Sequence, residues 1–115
     1  MANTFKVKTN GAMPTSGSAE TLYTVPSSTT TVVIGLLLCN IHTSAVTVDV
    51  SLESDTSDTE TNSNVSLAKS VSIPVGSTLE LLTGGKVVMQ TTDVLKINCS
   101  VQQKIDATLC ILELT

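Results

Sequence analysis

The chain has no Trp and no Arg, and its only two aromatic residues are Phe5 and Tyr23. Nucleic-acid binding relies on clustered basic side chains, often with aromatic stacking platforms. Six lysines in a chain of net charge −4 do not supply that arrangement. Carbohydrate-binding modules present Trp or Tyr platforms, which one Tyr cannot build. The composition therefore argues against nucleic acid as a partner and against a sugar-binding platform.

Long apolar runs and targeting signals are also missing. The longest apolar run, residues 32–41, is about ten residues, whereas a membrane helix needs about twenty. The first residues lack the charged and apolar regions of a signal peptide. Cys39, Cys99 and Cys110 are odd in number and lie inside strand-like runs, which favours small buried side chains in a reducing compartment over a disulfide framework. We expect a soluble protein made in the cytoplasm, with no membrane segment.

No pattern of catalytic residues is present. His42 is the only histidine, it follows an apolar run in a turn-like segment, and no Gly-x-Ser-x-Gly elbow accompanies it. Cys39 and His42 have a spacing that zinc sites use, but Cys99 and Cys110 form no second close pair. We interpret His42 as a solvated loop residue. The sequence predicts no enzyme activity, no catalytic or metal-binding residues and no cofactor.

The densest group of carboxylates lies in residues 53–60. Such a segment could bind calcium, which favours several oxygen ligands. It lacks the spaced Asp/Asn pattern and the Gly of an EF-hand loop, so we interpret residues 55–64 as an exposed loop that keeps the protein soluble. Whether this loop binds an ion stays open.

What the sequence does contain is apolar alternation with a period of two, in a chain rich in Ser, Thr and Val, which favours strands. Val46, Val48, Val50 and Leu52 give the clearest half-buried strand. About eight strands at this spacing predict an all-β antiparallel β-sandwich, of jelly-roll or immunoglobulin-like topology. Residues 1–19 are predicted to be an N-terminal arm, and residues 20–115 the sandwich domain. The predicted strands are 21–25, 30–41, 46–53, 65–73, 79–82, 86–90, 94–101 and 107–114.

Three local features refine this prediction. Lys69 falls on the apolar face of its strand, so a bulge or a break is expected there. Pro74 and Gly76 occupy positions that a type I turn prefers. Thr83-Gly84-Gly85 indicates a tight hairpin.

Two strands are apolar on both faces, although a sandwich strand needs only one apolar face. In residues 32–41 the simple alternation places Val32, Ile34, Leu36 and Leu38 on one face and Val33, Leu37, Cys39 and Ile41 on the other; residues 107–114 behave likewise. The second faces are covered by the N-terminal arm, a neighbouring copy or another protein, unless bends or bulges rotate the strands. The predicted partner interface comprises Phe5, Val7, Met13, Leu37 and Leu112.

Two stretches carry a family resemblance. One is Thr21–Asn40 with Ala45–Val50, a strand ending in a Val-Pro turn and then a long apolar strand ending in Asn. The other is Ser72–Leu82 with its Ile-Pro-Val-Gly turn, followed by 85–90, 93–97 and 107–114. These stretches resemble the small virion structural proteins of tailed bacteriophages, particularly marine and cyanobacterial phages. Thr92-Asp93 stands where those proteins have Gly-Asp, so that turn departs from the pattern.

The resemblance covers residues 20–115 and implies a β-sandwich on the phage particle. The expected role is a capsid decoration (cement) protein, which binds other virion proteins, in particular the major capsid protein, and forms a homo-oligomer. A neck, baseplate or tail-fibre component, including a host-binding one, is the alternative. The expected location is the virion, assembled in the host cytoplasm, and the resemblance implies no catalytic residues.

Overall fold

The computed structural model describes residues 2–54, 60–82 and 85–115. These residues form nine β-strands and no helix, so they contain no helix that could cross a membrane. The strands are β1 (Asn3–Met13), β2 (Glu20–Thr24), β3 (Thr30–Asn40), β4 (Val46–Glu53), β5 (Val65–Ile73), β6 (Thr78–Leu81), β7 (Val87–Met89), β8 (Val94–Cys99) and β9 (Ile105–Leu114).

The strands build two antiparallel sheets that pack face to face. Sheet A has the order β1-β9-β3-β6, with β7 also paired to β3, and sheet B has the order β2-β8-β4-β5. Because β6 and β7 pair with opposite ends of β3, they share one strand position. The pairs β1–β9, β2–β8, β3–β6/β7 and β4–β5 are nested along the chain, which is the arrangement of a jelly roll. The predicted antiparallel β-sandwich is confirmed, and the jelly roll is the observed topology.

The N-terminal segment differs from the predicted arm. Residues Asn3–Asn10 pair continuously with β9, and Met13 pairs with Ile105 after a bulge at which Ala12 has a positive φ of 52°. The segment is therefore the edge strand of sheet A and part of the domain. The boundary predicted at residue 19 falls instead in the turn between β1 and β2, where the chain passes from one sheet to the other.

Two bulges change which residues face the core. In β3 the register with β9 shifts between Val33 and Gly35, so Val33, Leu36 and Leu38 face inward. The uninterrupted alternation expected for this strand was wrong, because the extra residue at the bulge reverses the facing of everything after it. In β5 the register shifts around Lys69, and Ser70 has a φ of 51°. Of the two alternatives for Lys69, the bulge is the one observed.

The turn after β5 also differs from the prediction. The N–H of Ser77 donates to the carbonyl of Pro74 at 3.2 Å, and Gly76 has a φ of 73°. The turn therefore begins at Pro74 and places Gly76 at its third position, where a positive φ is a type II feature. Residues 55–59 of the predicted acidic loop and residues 83–84 of the predicted hairpin lie outside the described residues.

The core lies between the two sheets and is almost entirely aliphatic. Its side chains come from alternate positions of β3 and β9 in sheet A and of β4 and β8 in sheet B. Its largest fully buried members include Leu36, Leu109, Leu95 and Ile97. Each sheet thus buries its inward face in the shared core. The outward faces of the two sheets differ from each other.

Candidate docking face

Apolar side chains cover the outer surface of sheet A. Phe5 on β1 lies opposite Leu112 on β9, Leu112 opposite Val32 on β3, and Val32 opposite Val88 on β7. The next row contains Val7 and Cys110, and Ile34 and Leu37 continue the surface along β3. We call this surface the apolar face; its members are Phe5, Val7, Val32, Ile34, Leu37, Val88, Cys110 and Leu112.

The apolar face is solvent-accessible in the isolated chain. Phe5 is 74% exposed and Leu37 is 37% exposed, and Val7, Ile34 and Val88 are also exposed. Val32, Cys110 and Leu112 are half-buried by their neighbours on the face. Contiguous exposed apolar surface of this kind marks interaction sites in soluble proteins.

The outer surface of sheet B is the internal comparison. On β4 the outward residues are Thr47, Asp49, Ser51 and Glu53, and they lie beside outward Lys96 and Asn98 of β8. The Lys96 ammonium contacts the Glu53 carboxylate at 3.2 Å. The outward positions of β4 and β8 are thus mainly polar, with Val94 as an apolar exception, and sheet A departs from this usual pattern.

A shallow recess of about 280 Å³ opens in the apolar face. Its walls include Ile34, Leu37, Leu82 and Cys110, and Gly35 forms part of its lining. No heavy atom lies within 4 Å of the place where a Cβ on Gly35 would be. The missing side chain, beside the gap between β6 and β7, leaves a hollow in the apolar face, and Glu80 also contributes to its lining.

Four of the five residues of the predicted interface lie on one surface, and the fifth lies in the core. Phe5, Val7, Leu37 and Leu112 lie together on the apolar face. Met13 does not: it is 0% exposed and packs in the core beside Ile105. The bulge at the end of β1 turns Met13 inward, so it is a core residue and is unavailable to a partner.

A buried polar cluster lies on the inner side of sheet A near its β1 edge. The Tyr23 hydroxyl donates to the Glu113 carboxylate and lies 2.8 Å from the Thr31 hydroxyl. The Lys6 ammonium contacts the other Glu113 oxygen at 2.8 Å. The bonds from Lys6 and then Tyr23 hold the pKa of the Glu113 carboxyl below its usual range, and burial raises the pKa of Tyr23 to about 12. The cluster ties β1, β2, β3 and β9 together.

The remaining polar candidates have structural partners. The backbone N–H of His42 donates to the Asn40 side chain, and His42 is half-buried. The Ser54 hydroxyl donates to the buried Asp93 carboxylate, which also accepts from the N–H of Gln90. Cys99 is buried as expected, but Cys39 and Cys110 are only half-buried, and all three are free. Within the described ranges no three His, Cys, Asp or Glu side chains are grouped to hold a metal ion.

Comparison of the chain with protein-family models, with curated proteins and with solved structures finds no match. The physical features of the fold therefore carry the functional interpretation. Sequence reasoning missed Val32, Ile34 and Val88 as members of the apolar face. Gly35 in mid-strand was the available signal, because a strand Gly often marks a bulge.

Proposed function

We propose that the protein is a non-enzymatic structural component of a tailed bacteriophage virion, and specifically a capsid decoration protein that docks on other virion proteins through the apolar face. The observation that carries this proposal is the contrast between the two outer surfaces. One core serves both sheets, so core packing gives no reason for sheet A to be apolar outside. A partner surface does give one.

The dimensions of sheet A fit such an interface. Strands lie about 4.8 Å apart and rise about 3.4 Å per residue, so four strand positions over ten residues cover about 650 Å². A stable protein–protein interface buries roughly 800 Å² on each partner. The outer surface of sheet A is thus large enough to form most of a standard interface, and the apolar face would be the central part of it.

The energetics point the same way. Fully burying a Val, Leu, Ile or Phe side chain contributes about 1.5–3 kcal/mol relative to exposure. In the isolated chain, the exposed side chains of the apolar face lack part of this burial free energy. The missing amount is substantial in comparison with a typical net stability of about 5–15 kcal/mol. Docking would recover that free energy, and the Gly35 recess would orient the partner.

The phage assignment draws on two further points. The jelly roll is a fold of viral capsid proteins, although lectins and cupins share it, so fold alone does not fix the role. The resemblance of residues 20–115 to phage virion proteins points to the particle. Attachment through one broad face, without a catalytic site, is what a decoration protein requires.

Charge substitutions on the face test the docking surface. Leu112→Asp and Leu37→Asp should abolish incorporation into particles while the purified domain still unfolds cooperatively. Thr47→Asp is the matched control, because it adds the same charge to the exposed outer surface of sheet B. Normal incorporation of both leucine variants would refute the apolar face as the attachment surface.

Copy number tests the place on the particle. Quantitative mass spectrometry of purified virions should find this chain in numbers comparable with the major capsid protein. A number matching the neck, baseplate or fibre proteins would replace the decoration role with the alternative one, in which the same face docks on the tail.

A further inference from the structure

The free edge of β1 differs from every other sheet edge in the described residues. β2 has five residues and a register shift, β6 and β7 have four and three residues, and β5 is interrupted by two register shifts. β1 has eleven residues and pairs with β9 from Asn3 to Asn10 without interruption. Natural proteins keep edge strands short, bulged or covered, because a long regular edge invites another strand.

The backbone register shows which groups this edge offers. Ala2 and Thr115 exchange two hydrogen bonds, of 3.1 and 2.9 Å. Bonded and non-bonded pairs alternate along an antiparallel ladder, so the even-numbered residues of β1 bond to β9. The N–H and C=O groups of Asn3, Phe5, Val7 and Thr9 therefore point away from β9, toward the unoccupied side of sheet A. An added strand would find four consecutive sets of donors and acceptors.

Side chains along the same edge define the chemistry of the added strand. Phe5 and Val7 lie on the apolar face, whereas Lys6 and Lys8 project to the inner side. That side opens into a groove of about 460 Å³ between β1 and β2, whose lining includes Lys6, Lys8, Thr21 and Glu113. Glu113 already contacts Lys6, and no carboxylate among the described residues contacts Lys8.

We propose that β1 is a strand-addition site that captures an extended segment of a partner protein in which apolar and acidic residues alternate. The apolar residues would lie beside Phe5 and Val7, and the acidic residues would enter the groove beside Lys8 and Lys6. β1 carries two lysines in a chain of net −4; Glu113 already pairs with Lys6, so Lys8 is the lysine of this edge that would favour an acidic residue of the added strand. This site does not depend on the phage role, and it shares only Phe5 and Val7 with the apolar face.

A second copy of this chain fits the edge less well. Antiparallel pairing of two β1 strands about Val7 would place Lys6 of each copy opposite Lys8 of the other. Like charges directly opposite each other destabilise a strand pair. In that register the two lysines act against self-pairing; pairing about Phe5 would instead place Lys6 opposite Thr4, so a second copy is one of the outcomes that the test distinguishes.

Peptide binding tests the site directly. The probe is the capped peptide Thr-Val-Glu-Val-Glu-Val-Thr, and the control peptide has Lys in place of both Glu. In ¹H–¹⁵N spectra of the full chain, the Glu peptide should shift the amides of β1 and its β9 neighbours, and the Lys peptide should bind more weakly. Methylating the backbone nitrogens of the Val residues should abolish binding, whereas methylating those of the Glu residues, which face away, should not.

Variants of the chain complete the test. Val7→Pro removes an N–H that faces the free edge and leaves the β9 ladder intact, and it should weaken the Glu peptide about two- to ten-fold. Thr9→Pro, which leaves the apolar face unchanged, is the second variant if Val7→Pro does not fold. Lys8→Glu should lower the affinity for the Glu peptide about two- to five-fold and raise the affinity for the Lys peptide.

Any one of the following results would overturn the proposal: equal binding of both peptides to the unaltered chain, shifts that map to β5 in place of β1, or undiminished binding of the Glu peptide by a folded proline variant. A dimer of the unaltered chain that the proline variants dissociate, detected by sedimentation, would make a second copy the occupant and also overturn it. Leu37→Asp should leave peptide binding unchanged. A failure of the strand-addition proposal can therefore be distinguished from a failure of the proposed docking through the apolar face.

Discussion

The outer surfaces of the two sheets obey different rules although one core lies between them. Strands β4 and β8 of sheet B alternate regularly, and their outward positions carry Asp49, Ser51 and Lys96 beside one another. Sheet A places Phe5 and Leu112 at the equivalent outward positions. The difference shows that one core does not determine what the outer surface of each sheet carries; under the proposed function, the outer surface of sheet A is covered by a partner.

The largest expected effect on the free energy of unfolding is a difference between two neighbouring residues of β3 that lie on opposite faces of sheet A. Leu36 is 0% exposed and Leu37 is 37% exposed. Leu36→Ala should lower the free energy of unfolding by about 2–5 kcal/mol, because it leaves a core cavity. Leu37→Ala should lower it by no more than about 1 kcal/mol. Urea unfolding of both variants gives the comparison, and equal losses would mean that the apolar face is already core.

The next effect concerns the carboxylates that hold β1 in sheet A. The pKa of Glu113 is lowered by Lys6 and Tyr23, and that of Glu20 by hydrogen bonds from the Thr15 backbone and Asn10. A carboxyl group whose pKa is lower in the folded state than in the unfolded state stabilises the fold at pH values above the unfolded pKa of 4.5. This stabilisation is lost as the pH falls through the folded pKa. Below about pH 4.5, hydrogen exchange should therefore quicken in β1 before β4.

Glu113→Gln supplies the matched variant for that experiment. It keeps the size of the side chain and removes its charge, so unfolding free energy at neutral pH should fall by about 1.5–3 kcal/mol, the range for hydrogen bonds to charged groups. The acid sensitivity of β1 should diminish in the variant. An unchanged acid profile would assign that sensitivity to other carboxylates.

A smaller effect is expected from the hydroxyl in the same cluster. Tyr23→Phe removes the donor to Glu113 and the contact with Thr31 while it preserves the ring in the core. The expected loss is about 1.5 kcal/mol, the lower end of the range for hydrogen bonds to charged groups, because Lys6 still pairs with Glu113; urea unfolding at neutral pH measures it. Thr24→Ser, an exposed change on the same strand, is the control and should be neutral. A Tyr23→Phe variant as stable as the unaltered chain would leave Lys6 as the only stabilising partner of Glu113.

The smallest effect belongs to the outer surface of sheet B. The Lys69 ammonium lies 3.7 Å from the Asp49 carboxylate, and its side chain is 73% exposed. Exposed pairs of this kind contribute about 0–1 kcal/mol. Lys69→Gln should change the melting temperature by no more than a few degrees, and less at high salt. A large loss would show that the polar surface of sheet B is also structural.

Much of the fold could be predicted because local signals specify strands well. The alternation from Val46 to Leu52 predicted β4, and Pro74 with Gly76 predicted the turn after β5 to within one residue. The N-terminal segment was predicted to be an arm and is instead strand β1. Its partner was not predictable, because β9 lies at the other end of the chain and pairing leaves no mark in either segment alone.

The composition of the candidate site was harder to predict, because bulges decide it. The shift at Gly35 moved Leu36 into the core and left Val32, Ile34 and Leu37 outside. Met13 was assigned to the wrong environment for the same kind of reason, a bulge that turns the end of β1 inward. Side-chain facing has a period of two, so one unrecognised residue inverts every assignment beyond it.

The nested pairing of the strands also constrains how the chain acquires this structure. β4 and β5 are partners close in sequence, but β1 pairs with β9, from which seven other strands separate it along the chain. Contacts of such wide sequence separation form slowly, because a long loop must close before they stabilise anything. During synthesis the Phe5 segment is therefore an unpaired strand, open to premature association. Lys6 and Lys8 are charged side chains of the kind that oppose association of an unpaired strand with other strands, and they would do so until β9 pairs with β1.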